Sequence, residues 1–296
     1  MEIQRPLALF TVALCAASGA FGGLGVLVLQ GKGRRIWLPT LATTLVLMVL
    51  GGIASFFHLQ HWERIFNGFG HLSSGITQEL IGLVVMFIAV AVFFIAARKH
   101  DDGDELPKWL GVVALVVGVL MVFVSAHAYG MAARPAWSTV GTYLGFYGGA
   151  LVMGPALLWT ISAIMKDDAA PELPLWTAVG GVVALVCTVA FCILVQSGDY
   201  EVLTSYFDPI TPTASPVSNV DQVSDVLFGG SAWIFWGLAV VVGTVVPAVA
   251  GFVSRKASGG MAVALSAAAL ACAVVGGIAF RAVFFLLGAS SFGIAF

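Results

Sequence analysis

Five ionisable side chains stand at the ends of long apolar stretches: His58, Arg64, Glu79, His127 and Arg281. Charges are costly near a lipid bilayer, so in a chain this poor in them their positions carry the chemistry. They draw together most densely along Ala54-Ser55-Phe56-Phe57-His58-Leu59-Gln60-His61-Trp62-Glu63-Arg64-Ile65-Phe66-Asn67, followed by Ser73, Ser74 and Glu79. This segment mixes aromatic rings with proton carriers and hydrogen-bond donors. A flat apolar ligand with two titrating oxygens needs a dry slot for its ring, a base for its protons and donors at each end. A quinone is such a ligand. Glu79 and His58 are then the candidates for proton transfer. Arg64, Asn67 and Ser74 are candidate pocket residues, and His127 and Arg281 are more distant candidates at the same depth.

Each of these residues also has a plainer reading. His58 can cap a helix end, Glu79 can be a first-turn acid favoured by the helix dipole, and Arg64 and Arg281 can reach toward lipid headgroups. His61 and His71 fit a solvated loop. Two histidines at equal depth on neighbouring helices can ligate haem iron axially, and His58 with His127 is the one pair that could do so. A second haem would find no ligands within the spans. The expectation is a quinone site with no haem and no metal.

Elements that could position these side chains follow from hydropathy. About 20 apolar residues cross a hydrocarbon core as a helix, because every backbone polar group must be satisfied inside the segment. Eight stretches qualify: 7–29, 38–57, 78–97, 109–130, 142–165, 175–196, 231–253 and 261–287. The predicted fold class is all-α, a polytopic membrane protein of about eight transmembrane helices forming a single integral domain over 1–296; two four-helix bundles are one way to pack them. Gly141, Gly145 and Gly149 recur at four-residue spacing, as do Gly19 and Gly23, a pattern that lets helices approach closely. Pro155 and Pro247 predict local opening of their helices.

Nine Lys and Arg residues lie in the first, third, fifth and seventh connections, and four lie on the other side, out of 13 in all. Short basic loops are retained in the cytoplasm, so both termini and the five candidate residues are expected on the outward side of a prokaryotic cell membrane. The first apolar run is too long for a cleaved signal peptide and reads as a retained span.

Composition agrees: 60% of residues are hydrophobic, 9% are charged, and the mean hydropathy is +1.02. Such a chain cannot clothe itself for water. With a net charge of -2 and no continuous basic face, nucleic acid is excluded as a partner, whereas membrane lipid is required. Cys15, Cys187, Cys192 and Cys272 lie in apolar runs without ligand spacing and read as packing residues. The sixth connection, 197–230, carries Asp199, Glu201, Asp208, Asp221 and Asp225 and no Lys or Arg. It is either a solvated loop or a docking surface.

At Ala54-Ser55, His58-Leu59, Arg64, Phe66-Asn67, Ser74 and Glu79 the sequence resembles the membrane anchor subunit of dimethyl sulfoxide reductase and its relatives. Gly154-Pro155-Ala156-Leu157-Leu158, and Arg281 with Phe284 and Phe285, support the likeness. Length, eight spans and outward termini fit it along the whole chain. The resemblance implies an anchor that oxidises menaquinol, with His58 and Glu79 at the quinol and no haem. It implies two partners: a four-cluster iron-sulfur subunit that takes the electrons, and a catalytic subunit holding molybdopterin. Neither cofactor would belong to this chain. Docking of the iron-sulfur subunit is expected over the outward face. Related polysulfide- or nitrite-reductase anchors are an alternative, as are a purely structural anchor and a secondary transporter, the last of which calls for polar groups at mid-bilayer depth.

Overall fold

The computed structural model describes residues 4–57, 70–99, 105–167, 169, 171–198, 201–202 and 217–288. Its eight apolar stretches form eight helices long and apolar enough to cross a membrane. Six are unbroken: α1 (Arg5–Leu29), α2 (Trp37–Phe56), α3 (Gly75–Lys99), α4 (Lys108–His127), α5 (Val140–Met165) and α6 (Leu173–Gln196). After a short helix, α7 (Asn219–Leu227), the seventh span begins as a π-helix, π1 (Trp233–Val245), and ends as α8 (Val246–Val253). The eighth is α9 (Gly259–Leu286). Among the described residues the β structure is one antiparallel pair of two-residue strands, Glu201–Val202 with Val217–Ser218. The expected all-α membrane fold is therefore what the chain adopts.

The helices fall into two groups of four. In the first, α1 packs on α2 and α4, and α3 packs on both of those. In the second, α5, α6, α9 and the composite π1–α8 pack around one another, and α1 lies against α5 and α9 as the seam. Without a hydrophobic driving force between helices in lipid, contact depends on small residues. At the seam a methyl on Gly154 would sit 2.3 Å from the backbone carbon of Gly19, so only glycine permits this crossing. Outer faces are apolar as well, with Val46, Leu50 and Ile53 of α2 and Val84, Ile88 and Ile95 of α3 exposed, as a lipid solvent requires.

Both interior prolines have structural consequences. Pro155 lacks the N–H that would serve the Leu151 carbonyl. Gly180 of α6 closes on that same carbonyl so tightly that a methyl there would lie 1.9 Å from the oxygen. Pro247 follows π1; its ring would clash with the Gly243 carbonyl in α winding, which accounts for the wider turns upstream.

Short connections fix the two ends. At one end Lys32 pairs with Glu172, and the Arg35 backbone N–H donates to Asp167 Oδ2 at 2.8 Å, tying the first and fifth connections together. Gly31 and Gly33, at φ 70° and 76°, make the tight turn into α2 possible. At the other end α7 folds back over α6 and α9, burying Val223 and Leu227 and leaving Asp221 and Asp225 on its exposed face. Trp236 Nε1 donates to the Leu227 carbonyl at 2.9 Å and holds α7 to π1.

Candidate functional site

Glu79 lies just over one turn into α3, and the register of α3 against α4 decides where its carboxyl goes. These helices run antiparallel. Gly75 touches Ala128, where an added methyl would come within 2.7 Å of the backbone, and Gly82 meets Met121 Sδ at 3.0 Å from the same imagined atom. Between those two contacts Glu79 faces Ser125. The Ser125 hydroxyl, the one hydroxyl side chain in α4, donates to Glu79 Oε1 at 2.5 Å. Glu79 is 8% exposed and Ser125 1%, so the carboxyl is turned into the protein and away from lipid.

From the opposite group of helices comes Arg281 of α9, only 2% exposed. Its guanidinium lies over the Phe146 ring at 3.4 Å and near Phe280 at 5.3 Å, and its Nη2 donates to Cys15 Sγ at 3.4 Å. It therefore points into the bundle and does not extend toward headgroups. A desolvated cation over an aromatic face is worth about 2 kcal/mol. Glu79, Arg281, Cys15 and the buried Tyr129 are close enough to act on one another's charge. In the connection after α4, burial and then the charge of Glu79 push the Tyr129 phenol well above its ordinary value, so it stays protonated.

An aromatic cluster caps this end. Trp137 stacks on Phe284 with centroids 5.1 Å apart, and its Nε1 donates to the Phe284 carbonyl at 2.7 Å. Tyr129 meets Phe284 edge-on at 5.4 Å. Arg134 covers Trp137 at 4.6 Å and donates to the Gly288 carbonyl, and burial lowers the proton affinity of its guanidinium. The fourth connection is thus bound to the end of α9, and Tyr129 of this cluster is near enough to the buried Glu79 carboxyl to feel its charge. That environment suits proton exchange with an apolar ligand better than with bulk water.

Among the other predicted residues, Ser74 is partly buried just ahead of α3, and its carbonyl accepts from the Gln78 N–H at 3.0 Å. His127 is on the exposed face of α4, where its ring stacks with Phe123 at 6.0 Å and its Nδ1 lies 2.9 Å from the Tyr143 hydroxyl. Ser125 is turned inward two residues earlier, so His127 and Glu79 are not brought together. His58, Arg64 and Asn67 lie outside the described residues. Ser125, Tyr129 and Cys15 join the site without having been marked by sequence. For Ser125 a signal existed, since it is a lone hydroxyl at the depth of Glu79. Among the described residues no group of three or more His, Cys, Asp or Glu side chains is arranged to hold a metal.

The family model described as "DMSO reductase anchor subunit (DmsC)" matches residues 1–208, more than half of the chain. The C subunit of anaerobic dimethyl sulfoxide reductase from Escherichia coli K12 is 25% identical over 171 residues, covering 56% of this chain and 60% of its own length. Its namesake from Haemophilus influenzae Rd is 29% identical over 195 residues, 63% of this chain and 68% of its own. A further E. coli relative, the anaerobic dimethyl sulfoxide reductase subunit YnfH, is 26% identical over 166 residues, 52% of this chain and 56% of its own. The matched region therefore spans between about half and two thirds of these relatives.

Proposed function

The chain belongs to the DMSO reductase anchor subunit family, and from that premise we propose that it is the integral anchor of a dimethyl sulfoxide reductase-type complex and oxidises a quinol, menaquinol, at the Glu79 end of its helices. Its partners in this reading are a four-cluster iron-sulfur subunit and a molybdopterin catalytic subunit, which hold all the metal. The membrane is the prokaryotic cell membrane, with both termini outward. The reaction releases two electrons and two protons from the quinol. The electrons pass to the clusters of the partner, and the protons leave on the outward side.

Glu79 carries the reading: a carboxyl buried at one end of a membrane bundle, oriented by a serine and within electrostatic reach of Tyr129. Its role is to accept a proton from a quinol hydroxyl. Ser125 fixes which carboxyl oxygen is available, and Arg281 supplies a fixed positive charge nearby. His58 would hold the ring oxygen, with Arg64, Asn67 and Ser74 at the rim of the slot. His127, facing outward beside Tyr143, would act only at the entrance.

Replacing Glu79 by Gln keeps the shape and removes the base, and general-base groups contribute on the order of 10²–10⁴ in rate. In membranes holding the intact complex, Glu79→Gln should lower quinol-dependent dimethyl sulfoxide reduction by about 100-fold or more. Reduction driven by a soluble viologen dye, which bypasses the anchor, should be unchanged, as should membrane attachment. Undiminished quinol-dependent turnover would remove Glu79 from the mechanism.

A further inference from the structure

Beside Arg281 is a cavity among the helices of the second group and Val12 of α1, walled by Gly145 and Gly149 of α5, Thr188 of α6, Gly243 of π1 and Gly277 of α9. It has room for about two water-sized groups. The glycines around it have two different roles. Gly243 is needed for contact, because a methyl there would lie 2.6 Å from the Gly276 Cα. Gly149 and Gly277 are not. A methyl on Gly149 would meet only Met153 Cε at 3.5 Å, and on Gly277 its nearest neighbour would be Met153 Sδ at 3.4 Å, both ordinary contacts. These two positions keep space open where helix packing does not require it.

Into this wall the chain places a buried cation with unmet valence. Arg281 lines the cavity, and its Nε and Nη1 have no hydrogen-bond partner among the described residues. A guanidinium stays charged in a protein, and a buried charge needs both hydrogen bonds and a counter-charge. The rings of Phe146 and Phe280 can receive the cation on their faces but cannot accept its in-plane N–H groups. Cys15 engages Nη2 alone. Glu172 is paired with Lys32 at the far end of the bundle, and the carboxyl of Glu79 is turned to Ser125. Glu79 acts on Arg281 only through space, so water in the cavity would satisfy the N–H groups and still leave the cation without a directly bonded counter-charge among the described residues. We propose that the cavity beside Arg281 is a binding site for a small monovalent anion of halide size, held by the unpaired N–H groups of Arg281 within the glycine wall.

Neither Glu79 nor Ser125 lines this cavity, so the two proposals can fail independently. Chloride-35 line broadening is measured on the purified intact complex at constant ionic strength, with sodium gluconate replacing sodium chloride. The wild type should show a saturable broadening. At least a threefold loss of it is expected in Arg281→Gln and in Gly149→Val, which fills the cavity and leaves Arg281 in place. Glu79→Gln should retain it whatever that variant does to quinol oxidation. If Arg281→Gln does not assemble, Gly149→Val decides the matter alone. Equal broadening in wild type and Gly149→Val, or no saturable broadening in the wild type, overturns the proposal and leaves the cavity to water.

Discussion

The bond from Ser125 to Glu79 sets what a buried carboxyl at this end of the bundle can do. Hydrogen bonds to charged groups are worth about 1.5–3 kcal/mol, and about 1.4 kcal/mol is a factor of ten. Ser125→Ala should therefore cost roughly tenfold in quinol-dependent rate while the viologen-driven rate and the level of assembled complex hold. Ser125→Thr, which keeps a hydroxyl, should recover most of the loss. An alanine variant with wild-type quinol turnover would show that the carboxyl needs no orientation by α4. Glu79 and Arg281 were legible in the sequence because ionisable groups are rare in apolar helices. Ser125 and Cys15 were not, because serine and cysteine serve equally well as small packing residues. Which of them meets a charge depends on the register between helices, and a single strand of sequence does not state that register.

Register belongs to the element scale, where Gly75 and Gly82 set α3 against α4. A methyl at Gly75 would meet the Ala128 backbone at 2.7 Å, and backbone cannot swing aside as a side chain can. Gly75→Val should force the helices apart, cost about 1–3 kcal/mol as overpacking does, and reduce heat stability and quinol turnover together by displacing Glu79 from Ser125. Gly52→Ala, with nothing within 4 Å of its added methyl, is the control and should melt with the wild type. If Gly75→Val also melts with the wild type, the close contact is not what positions the acid. All eight helices could be read from hydropathy because length and apolarity alone decide whether a segment can span. The π winding of π1 could not. Its hydrophobic run reads as ordinary α-helix, and only Pro247 hints at a disturbance whose form depends on how Gly243 packs against Gly276 of α9.

For the whole molecule the outstanding quantity is direction. Eight crossings would return the chain to the side it started from, and our proposal that this side faces outward rests on the excess of Lys and Arg in the odd-numbered connections. The two ends are distinguishable: Lys32 and Glu172 join two odd-numbered connections at one end, while α7 presents Asp221 and Asp225 at the other, the end that holds Glu79. Gly230 and Gly260 are exposed at opposite ends, and neither has a neighbour within 4 Å of an added methyl, so a cysteine at either place should be accepted without strain. The native Cys15, Cys187 and Cys192 are buried and Cys272 lies within α9, which leaves little background for a charged thiol reagent. In intact cells from which the outer barrier has been removed, a membrane-impermeant maleimide should label Gly230→Cys directly and Gly260→Cys only after permeabilisation. The reverse pattern would turn the protein over, placing proton release from Glu79 in the cytoplasm. Quinol oxidation would then no longer deliver its protons across the membrane, even with every residue of the site unchanged.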